Sequence, residues 1–264
     1  MKTTVIFNAK GGVGKTITTI NMAAELAARG YRVLAVDADP QMNLTRFFGA
    51  EKPADADEPY ATICDVLEQG APSYLPHLLR PTQFDGVACI PASMDLVLAD
   101  VRALHERKLD LMAIRNLATM LTEDDAADFM LIDTPPSFTA ATTAALAAAD
   151  DVIIPIKLDA FSLSGVEELL RQVAGMREIN PALRIAGVLV TQYDGTTVAK
   201  ETMDALSESA IPIFGTAIKR STAVDRSTFE RRALRDLPGT YAKLLSEQYA
   251  EIVDEYLKGG KSNG

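Results

Sequence analysis

Short runs of apolar residues alternate along this chain with longer stretches in which apolar residues recur at helical spacing. This alternation is typical of a parallel sheet that is covered by helices on both faces. We therefore expect an α/β fold of three layers, with a mostly parallel, twisted sheet in the middle. The strands predicted from the apolar runs are Thr4–Asn8, Val33–Asp37, Val87–Ile90, Phe129–Asp133, Val152–Lys157, Ile185–Thr191 and the short Thr216–Ile218.

Three of the helical stretches are well marked. The first begins near Gly14 and ends at Gly30, whose missing Cβ suits a left-handed cap. The second covers residues 94–121 and forms one long helix or two shorter ones. The last covers residues 241–257 and is expected to pack one apolar stripe on the core. That stripe consists of Tyr241, Leu244, Leu245, Tyr249, Ile252, Val253 and Tyr256.

The size and composition favour one folded domain. The chain has 264 residues, of which 48% are hydrophobic, and both values suit one large α/β domain better than two small ones. We therefore expect a single domain over residues 1–264. Cys64 and Cys89 lie far apart without a paired spacing, which predicts two buried thiols in a reducing, cytoplasmic compartment.

A glycine-rich segment lies between the first predicted strand and the first predicted helix. Glycines let several backbone N–H groups point inward, and a helix N-terminus adds positive potential, so such a turn binds phosphate. Lys15 is placed to reach the β and γ phosphates of a nucleotide, and Thr16 to offer its hydroxyl to Mg²⁺. The usual phosphate loop begins with glycine, whereas this chain has Ala9 there, followed by an additional lysine. The segment consists of Lys10, Gly11, Gly12, Val13, Gly14, Lys15 and Thr16.

Acidic residues stand where two other predicted strands end. Asp37 ends the second strand and Asp39 follows it, and Asp133 ends the fourth. Because the carboxyl ends of parallel strands share one edge of a sheet, we expect these acids beside the phosphate loop. Such an arrangement holds Mg²⁺, usually through water. Each acid alone is equally compatible with a helix cap or a turn. Their joint presence with the loop favours a nucleotide site.

These motifs together resemble the ParA/Soj branch of the ParA and MinD superfamily of ATPases, whose phosphate loop deviates from the usual one. The resemblance rests on residues 10–16, 37–41, 133–136 and 151–157, and it extends over nearly the whole chain. It implies a homodimer that forms with ATP, binds double-stranded DNA nonspecifically and positions plasmids or chromosome regions on the nucleoid. It also implies a centromere-binding, ParB-like partner that stimulates hydrolysis of ATP to ADP and phosphate.

The resemblance assigns roles to individual residues. Lys10 would reach across the dimer to the partner's phosphates, as an arginine finger does, and Gly11 would let the two loops approach closely. Lys15 and Thr16 would hold phosphate and Mg²⁺, and Asp39 would position the attacking water. Support for the metal would come from Asp37 and Asp133.

Some positions around the loop are less clear by this resemblance. Family members usually continue the loop with more threonines, whereas Ile17 follows Thr16 here. Met42 stands where a small residue is common in the family. For the adenine, the candidates by position alone are Thr191, Gln192, Tyr193 and Pro212. The predicted nucleotide-binding set is therefore the loop, Ile17 and Pro212.

Residues 219–236 carry six basic and three acidic side chains, in a chain whose net charge is −10. A local basic surface on an acidic protein is typical of a DNA-binding face. The alternative is a solvated helix face that binds nothing, since most charge runs do no more. We expect contact with DNA phosphates and no stacking on bases. The candidate DNA-binding residues are Lys219, Arg220, Arg226, Arg231, Arg232 and Arg235.

Two other functions stay open. The same ATP-driven switch could position a protein assembly or a conjugation complex. An ATP-dependent metabolic ligase could also use this fold, and it would need a pocket for a small-molecule acceptor. A membrane-bound, MinD-like ATPase is disfavoured, because the last helix has an acidic polar face that anionic lipid repels. We therefore expect no membrane partner.

Overall fold

The computed structural model describes residues 1–52, 60–71, 75–106, 110–158 and 162–259. Within these ranges the strands are β1 (Lys2–Ile6), β2 (Val33–Asp37), β3 (Arg80–Pro81), β4 (Val87–Ile90), β5 (Phe129–Asp133), β6 (Asp151–Lys157) and β7 (Arg184–Thr191). They form one sheet in the order β3-β4-β2-β5-β1-β6-β7. All neighbouring pairs are parallel except β3 and β4, which are antiparallel.

Helices cover both faces of this sheet. The described helices are α1 (Lys15–Ala27), α2 (Asn43–Phe47), α3 (Ile63–Gln69), α4 (Leu96–Glu106), α5 (Ala113–Glu123), α6 (Ala140–Ala148), α7 (Ser162–Gly175), α8 (Thr197–Ser207), α9 (Ala223–Glu230) and α10 (Thr240–Leu257). Successive strand residues enter opposite cores, as Val5 and Ile6 of β1 do, because side chains alternate across a strand. The central strands β2 and β5 are buried along their whole length, which explains their almost continuous apolar sequence. The α/β prediction with three layers is confirmed.

Six of the seven predicted strands match observed strands to within two residues at either end. The seventh, Thr216–Ile218, was wrong. These residues run along the open edge of β7, where the Ile218 N–H donates to the Val190 carbonyl at 2.8 Å, but only isolated bridges form. The short edge strand β3 was not predicted, since its two residues form no apolar run.

The helical predictions hold with two refinements. The stretch 94–121 forms two helices, α4 and α5, and Asp110 accepts a hydrogen bond from the Met112 N–H at 2.8 Å at the turn before α5. In α10 five residues of the predicted stripe are buried in the core, Leu245, Tyr249, Ile252, Val253 and Tyr256, whereas Leu244 is half-buried and Tyr241 is 69% exposed at the first turn. Cys64 and Cys89 are buried free thiols, as predicted.

Helix α1, which begins at the phosphate loop, is held in place by hydrogen bonds to the C-terminal segment. The Asn21 Oδ1 accepts a hydrogen bond from the Leu234 N–H at 2.9 Å. The buried Glu25 carboxylate accepts from Arg235 and from the Ser246 hydroxyl, both at 3.2 Å. The loop therefore starts a helix whose position is set by residues more than 200 positions later in the chain. None of the helices in the described ranges has the length and apolar character needed to span a bilayer.

Candidate nucleotide-binding site

The segment between β1 and α1 folds into a glycine turn around the N-terminus of α1. Gly12 and Gly14 have φ values of 70° and 84°, in the left-handed region that a Cβ disfavours. Gly14 is the N-cap of α1, and a Cβ added to it would lie 3.3 Å from the Ile17 side chain. The first N–H groups of a helix have no partner within the helix. The turn therefore forms a concave surface that suits a phosphate group.

The Lys15 side chain folds back along this turn. Its ammonium donates to the carbonyls of Asn8 at 3.0 Å and Lys10 at 3.2 Å. Burial lowers the pKa of Lys15, while the nearby carboxylates of Asp133 and Asp39 act in the opposite direction. The ammonium thus has two weak carbonyl acceptors and two acids near it. It can exchange the carbonyls for the oxygens of a phosphate, which bind a cation more strongly.

Two residues at the end of β7 hold the carbonyls of the turn. The Thr191 hydroxyl lies 2.8 Å from the Val13 carbonyl and 2.9 Å from the Ile156 carbonyl. The Gln192 side chain donates to the Gly12 carbonyl at 2.5 Å. Sequence reasoning proposed both residues for the adenine. In the structure both side chains hydrogen-bond to carbonyls of the turn, which keeps these carbonyls pointing away from its concave side.

The two acids at the strand ends lie side by side on neighbouring strands. Asp37 of β2 and Asp133 of β5 are paired in the parallel register, and both side chains are fully buried. Burial raises the pKa of Asp37 to about 6, although hydrogen bonds from Thr45 act against this. Burial and the neighbouring Asp37 together raise the pKa of Asp133 well above its usual range. Two buried carboxylates on neighbouring strands repel each other when both are charged, and a bound cation would relieve that repulsion.

The oxygen atoms around Asp133 fit a magnesium ion. The Thr16 hydroxyl donates to Asp133 Oδ2 at 2.6 Å. The other oxygen, Oδ1, is buried and has no hydrogen-bond partner among the described residues. A hydroxyl and carboxylate oxygens are ligands that Mg²⁺ prefers. The residues that would hold the ion are Thr16 and Asp133, with Asp37 beside them.

Thr45 holds Asp37 in place, and sequence reasoning missed it. Its N–H and hydroxyl both reach Asp37 Oδ2, at 2.8 and 2.7 Å. The other oxygen of Asp37 accepts the Asp39 N–H at 3.1 Å. The Asp39 carboxylate in turn accepts the Gln41 N–H at 2.9 Å. The segment after β2 is therefore a chain of hydrogen bonds that orients both acids.

The glycine turn and Asp39 line one cavity of about 660 Å³, whereas Asp37 and Asp133 are not among the described residues that line it. The turn and the first two turns of α1 form one side, and residues after β2 and β5 form another. A third side comes from α2 and from the end of α9. The lining residues from the predicted site are Gly11, Gly12, Gly14, Lys15, Thr16, Ile17 and Asp39.

Comparison with known proteins identifies the family. A family described as "AAA domain" matches residues 1–185. The chain is 35% identical over 254 residues to the chromosome-partitioning ATPase Soj of Thermus thermophilus, covering 93% of this chain and 94% of Soj. It is 32% identical to the chromosome partitioning protein ParA of Caulobacter vibrioides, covering 86% of this chain and 84% of that one.

The chain belongs to the ParA/Soj branch of the ParA and MinD superfamily of P-loop ATPases. A crystal structure similar to it is that of cobyrinic acid a,c-diamide synthase from Mycobacterium smegmatis with bound ADP and magnesium. The two share 29% identity with a TM-score of 0.77, over 100% of this chain and 97% of that one. The ParA-type phosphate loop, with its additional lysine, thus lies on a fold shared with a metabolic enzyme.

Three residues of the predicted nucleotide-binding set, Lys10, Val13 and Pro212, are not among the described residues that line this cavity. Lys10 is exposed and lines a separate cavity of about 410 Å³, together with Val13, Lys157 and residues of α7. Pro212 lies beside the middle of β7, where its carbonyl accepts the Val188 N–H at 2.7 Å. It is not among the described residues that line the nucleotide cavity, so its contact with adenine remains a prediction without support from this geometry.

The six basic residues proposed for DNA do not form one uniform surface in this ParA-family chain. Arg226 forms an ion pair with Glu230 at 2.6 Å, and Arg235 pairs with the buried Glu25 at 3.2 Å. Arg235 therefore has a structural role in holding α1. Lys219 and Arg220 are exposed, and neither has an ion pair within the described ranges.

The remaining two basic residues, Arg231 and Arg232, lie in different surroundings. Arg232 is exposed, lies 3.8 Å from Glu230 and donates to the Asp236 carbonyl. Arg231 lines the nucleotide cavity. No aromatic contribution was expected on this surface, and this was wrong: Phe229, at the end of α9 and just before these two arginines, is 89% exposed. The best-supported DNA candidates are therefore Lys219 and Arg220, at the start of the segment.

Proposed function

We propose that this chain is an ATP-dependent partitioning ATPase that dimerises with ATP, binds DNA nonspecifically and positions a plasmid or chromosome region on the nucleoid. The observation that carries the proposal is the meeting of three chain segments at one sheet edge. The Thr16 hydroxyl touches Asp133, Asp133 lies next to Asp37 on the neighbouring strand, and Lys15 lies beside them. This is the set of groups that phosphoryl transfer requires.

In this proposal the chain's own residues act by positioning and by charge. The N–H groups of the glycine turn and the Lys15 ammonium bind the phosphate oxygens. A bound Mg²⁺, held at Thr16 and Asp133, would neutralise charge that develops on the phosphates. Asp39 is almost buried, at 8% exposure, and lines the cavity. Its carboxylate orients a water molecule for attack and accepts its proton.

Dimer formation is supported by the geometry of the loop's outer surface. A Cβ added to Gly11 would meet no atom within 4 Å, so this side of the loop is open to another chain. Lys10 is exposed beside it. We propose that two copies meet here face to face, so that the Lys10 of each reaches the nucleotide of the other. Because the sheet contains all described strands, we propose that residues 1–264 act as one domain.

The partners follow from the names of the relatives and from the local charge. The relatives from Thermus and Caulobacter are chromosome-partitioning proteins. We propose nonspecific double-stranded DNA as one partner, bound through phosphates by Lys219 and Arg220. A centromere-binding, ParB-like protein is the other, and it stimulates hydrolysis. The bound nucleotide favours the dimer, and hydrolysis releases both the dimer and the DNA.

A metabolic ligase is the second candidate, because the similar crystal structure is that of a cobyrinic acid a,c-diamide synthase. The two candidates differ in what they do with DNA. ATP turnover and molecular mass are measured with and without nonspecific duplex DNA over a series of salt concentrations. The partitioning proposal predicts an association that needs ATP and weakens steeply with salt. Indifference to DNA at low salt would reject it, and would favour a ligase or a switch that positions a protein assembly.

A further inference from the structure

Arg231 is a basic residue that the structure places at the nucleotide cavity. It follows α9 directly and lines the same cavity as Gly12, Lys15 and Asp39, together with Thr228. We propose that Arg231 binds the phosphate chain of the nucleotide from the α9 side, as an additional nucleotide-binding residue. This inference rests on the nucleotide site proposed above and adds to it a residue far away in sequence.

The backbone of Arg231 is held in a conformation that favours glycine. It has φ 50° and ψ 44° as the C-cap of α9, and only a residue without a Cβ adopts this region without cost. Glycine is the usual residue where a helix ends in this way. The end of α9 therefore does not require an arginine. Strained positions of this kind cluster at functional sites, where the side chain has a task.

One amide group fixes Arg231 against another wall of the cavity. The Gln83 side-chain nitrogen donates to the Phe47 carbonyl at 2.9 Å and to the Arg231 carbonyl at 3.0 Å. Phe47, at the end of α2, also lines the cavity. The segment after the acids of β2 is thus joined to the end of α9. This bridge holds the backbone of Arg231 beside the wall of the cavity that Phe47 forms.

In the described part of the chain, the guanidinium of Arg231 forms one ion pair, and that pair is long. The Glu51 carboxylate lies 3.8 Å from Arg231 and 3.9 Å from Arg46, so a single acid faces two arginines. The Arg231 side chain is 53% exposed, which leaves it room to turn. The forked donors of a guanidinium match the oxygens of a phosphate. A bound nucleotide offers this group a stronger acceptor than the shared carboxylate does.

The test compares Arg231→Gly with the wild-type chain in two measurements. The first is the melting temperature without nucleotide, and the second is the dissociation constant for MgATP and MgADP by calorimetry. Because glycine suits the backbone, we expect the variant to melt at the same temperature or higher. Because a charged hydrogen bond to phosphate is lost, we expect both nucleotides to bind roughly tenfold more weakly. This loss shrinks as salt is added.

Three further variants decide between the possible causes. Arg231→Lys keeps the positive charge but lacks the forked N–H donors of a guanidinium. Its affinity for nucleotide should therefore lie between those of the wild type and Arg231→Gly. Arg171→Ala removes an exposed arginine of α7, 69% exposed and outside the cavity, and it should bind nucleotide normally. Lys15→Ala tests the site itself and should abolish binding.

Each outcome has a separate meaning. Unchanged affinity in Arg231→Gly, with binding lost in Lys15→Ala, would overturn the role of Arg231 and leave the proposed nucleotide site intact. Weaker binding would also overturn it if the nucleotide-free variant melted at a clearly lower temperature than the wild type, since the residue would then be structural. Normal binding in Lys15→Ala would reject the proposed function itself.

Discussion

Thr45 offers a sharp test of how the acids are held, because one buried hydroxyl serves two partners. The side chain is fully buried. Its hydroxyl donates to Asp37 Oδ2 at 2.7 Å and accepts the Ala92 N–H at 2.9 Å. Thr45→Val has nearly the same shape but no hydroxyl. The variant therefore leaves the Ala92 N–H without this acceptor and removes one hydrogen bond from Asp37.

The cost can be worked out from these two losses. A buried donor left without its partner costs about 1–3 kcal/mol, and a lost hydrogen bond to a carboxylate costs a similar amount. Water cannot replace either of these two hydrogen bonds, because the site is buried. We expect the free energy of unfolding to fall by about 3 kcal/mol. For a chain of this size the melting temperature then falls by about 6–12 °C.

Urea and thermal unfolding of Thr45→Val and Thr45→Ser measure this effect. Thr45→Ser keeps the hydroxyl and loses one buried methyl group, which costs about 1 kcal/mol. The account therefore predicts that the serine variant is the more stable of the two, although valine is the better apolar residue. If Thr45→Val were as stable as the wild type, or more stable than Thr45→Ser, the hydroxyl would not hold Asp37 as described.

The remaining predictions concern catalysis, DNA and the thiols. Asp39→Ala should bind ATP, hydrolyse it far more slowly and accumulate dimers by light scattering; normal turnover would remove its role with the attacking water. The double variant Lys219→Glu with Arg220→Glu should bind duplex DNA at least about tenfold more weakly. The slope of log K against log salt concentration should become smaller by about two, because two phosphate contacts are lost. An unchanged slope would exclude this surface. Burial raises the pKa of Cys64 to about 12 and that of Cys89 well above its usual value, so neither thiolate forms at pH 8. A thiol reagent should modify both only after unfolding, and rapid reaction of either in the folded chain would contradict this packing.

The phosphate loop and the acids could be predicted because each depends on local sequence and on one rule of topology. The glycine turn lies between an adjacent strand and helix, so residues 8–16 are enough to recognise it, although Thr191 and Gln192 also hold its carbonyls. Asp37 and Asp133 are far apart in sequence. Nevertheless, the shared edge of parallel strands is enough to bring them together, and their register pairs them directly.

The features that were missed depend on tertiary neighbours. Thr45 reaches Asp37 only because α2 begins where it does, and no pattern in the sequence marks that contact. The basic residues of the C-terminal segment look alike in sequence, but Glu25 makes Arg235 structural and Gln83 holds the backbone of Arg231 beside the cavity. Whether a charged side chain is exposed, paired or near a ligand is decided by residues from elsewhere in the chain.

A crystal structure of the chain with a nonhydrolysable ATP analogue and Mg²⁺ tests the central claim most directly. The account predicts that the triphosphate lies against the N–H groups of Gly12 to Thr16 with the Lys15 ammonium on its β and γ phosphates. The ion should contact the Thr16 hydroxyl, with Asp37 and Asp133 around it. A nucleotide bound elsewhere, or a metal ion remote from these acids, would contradict it.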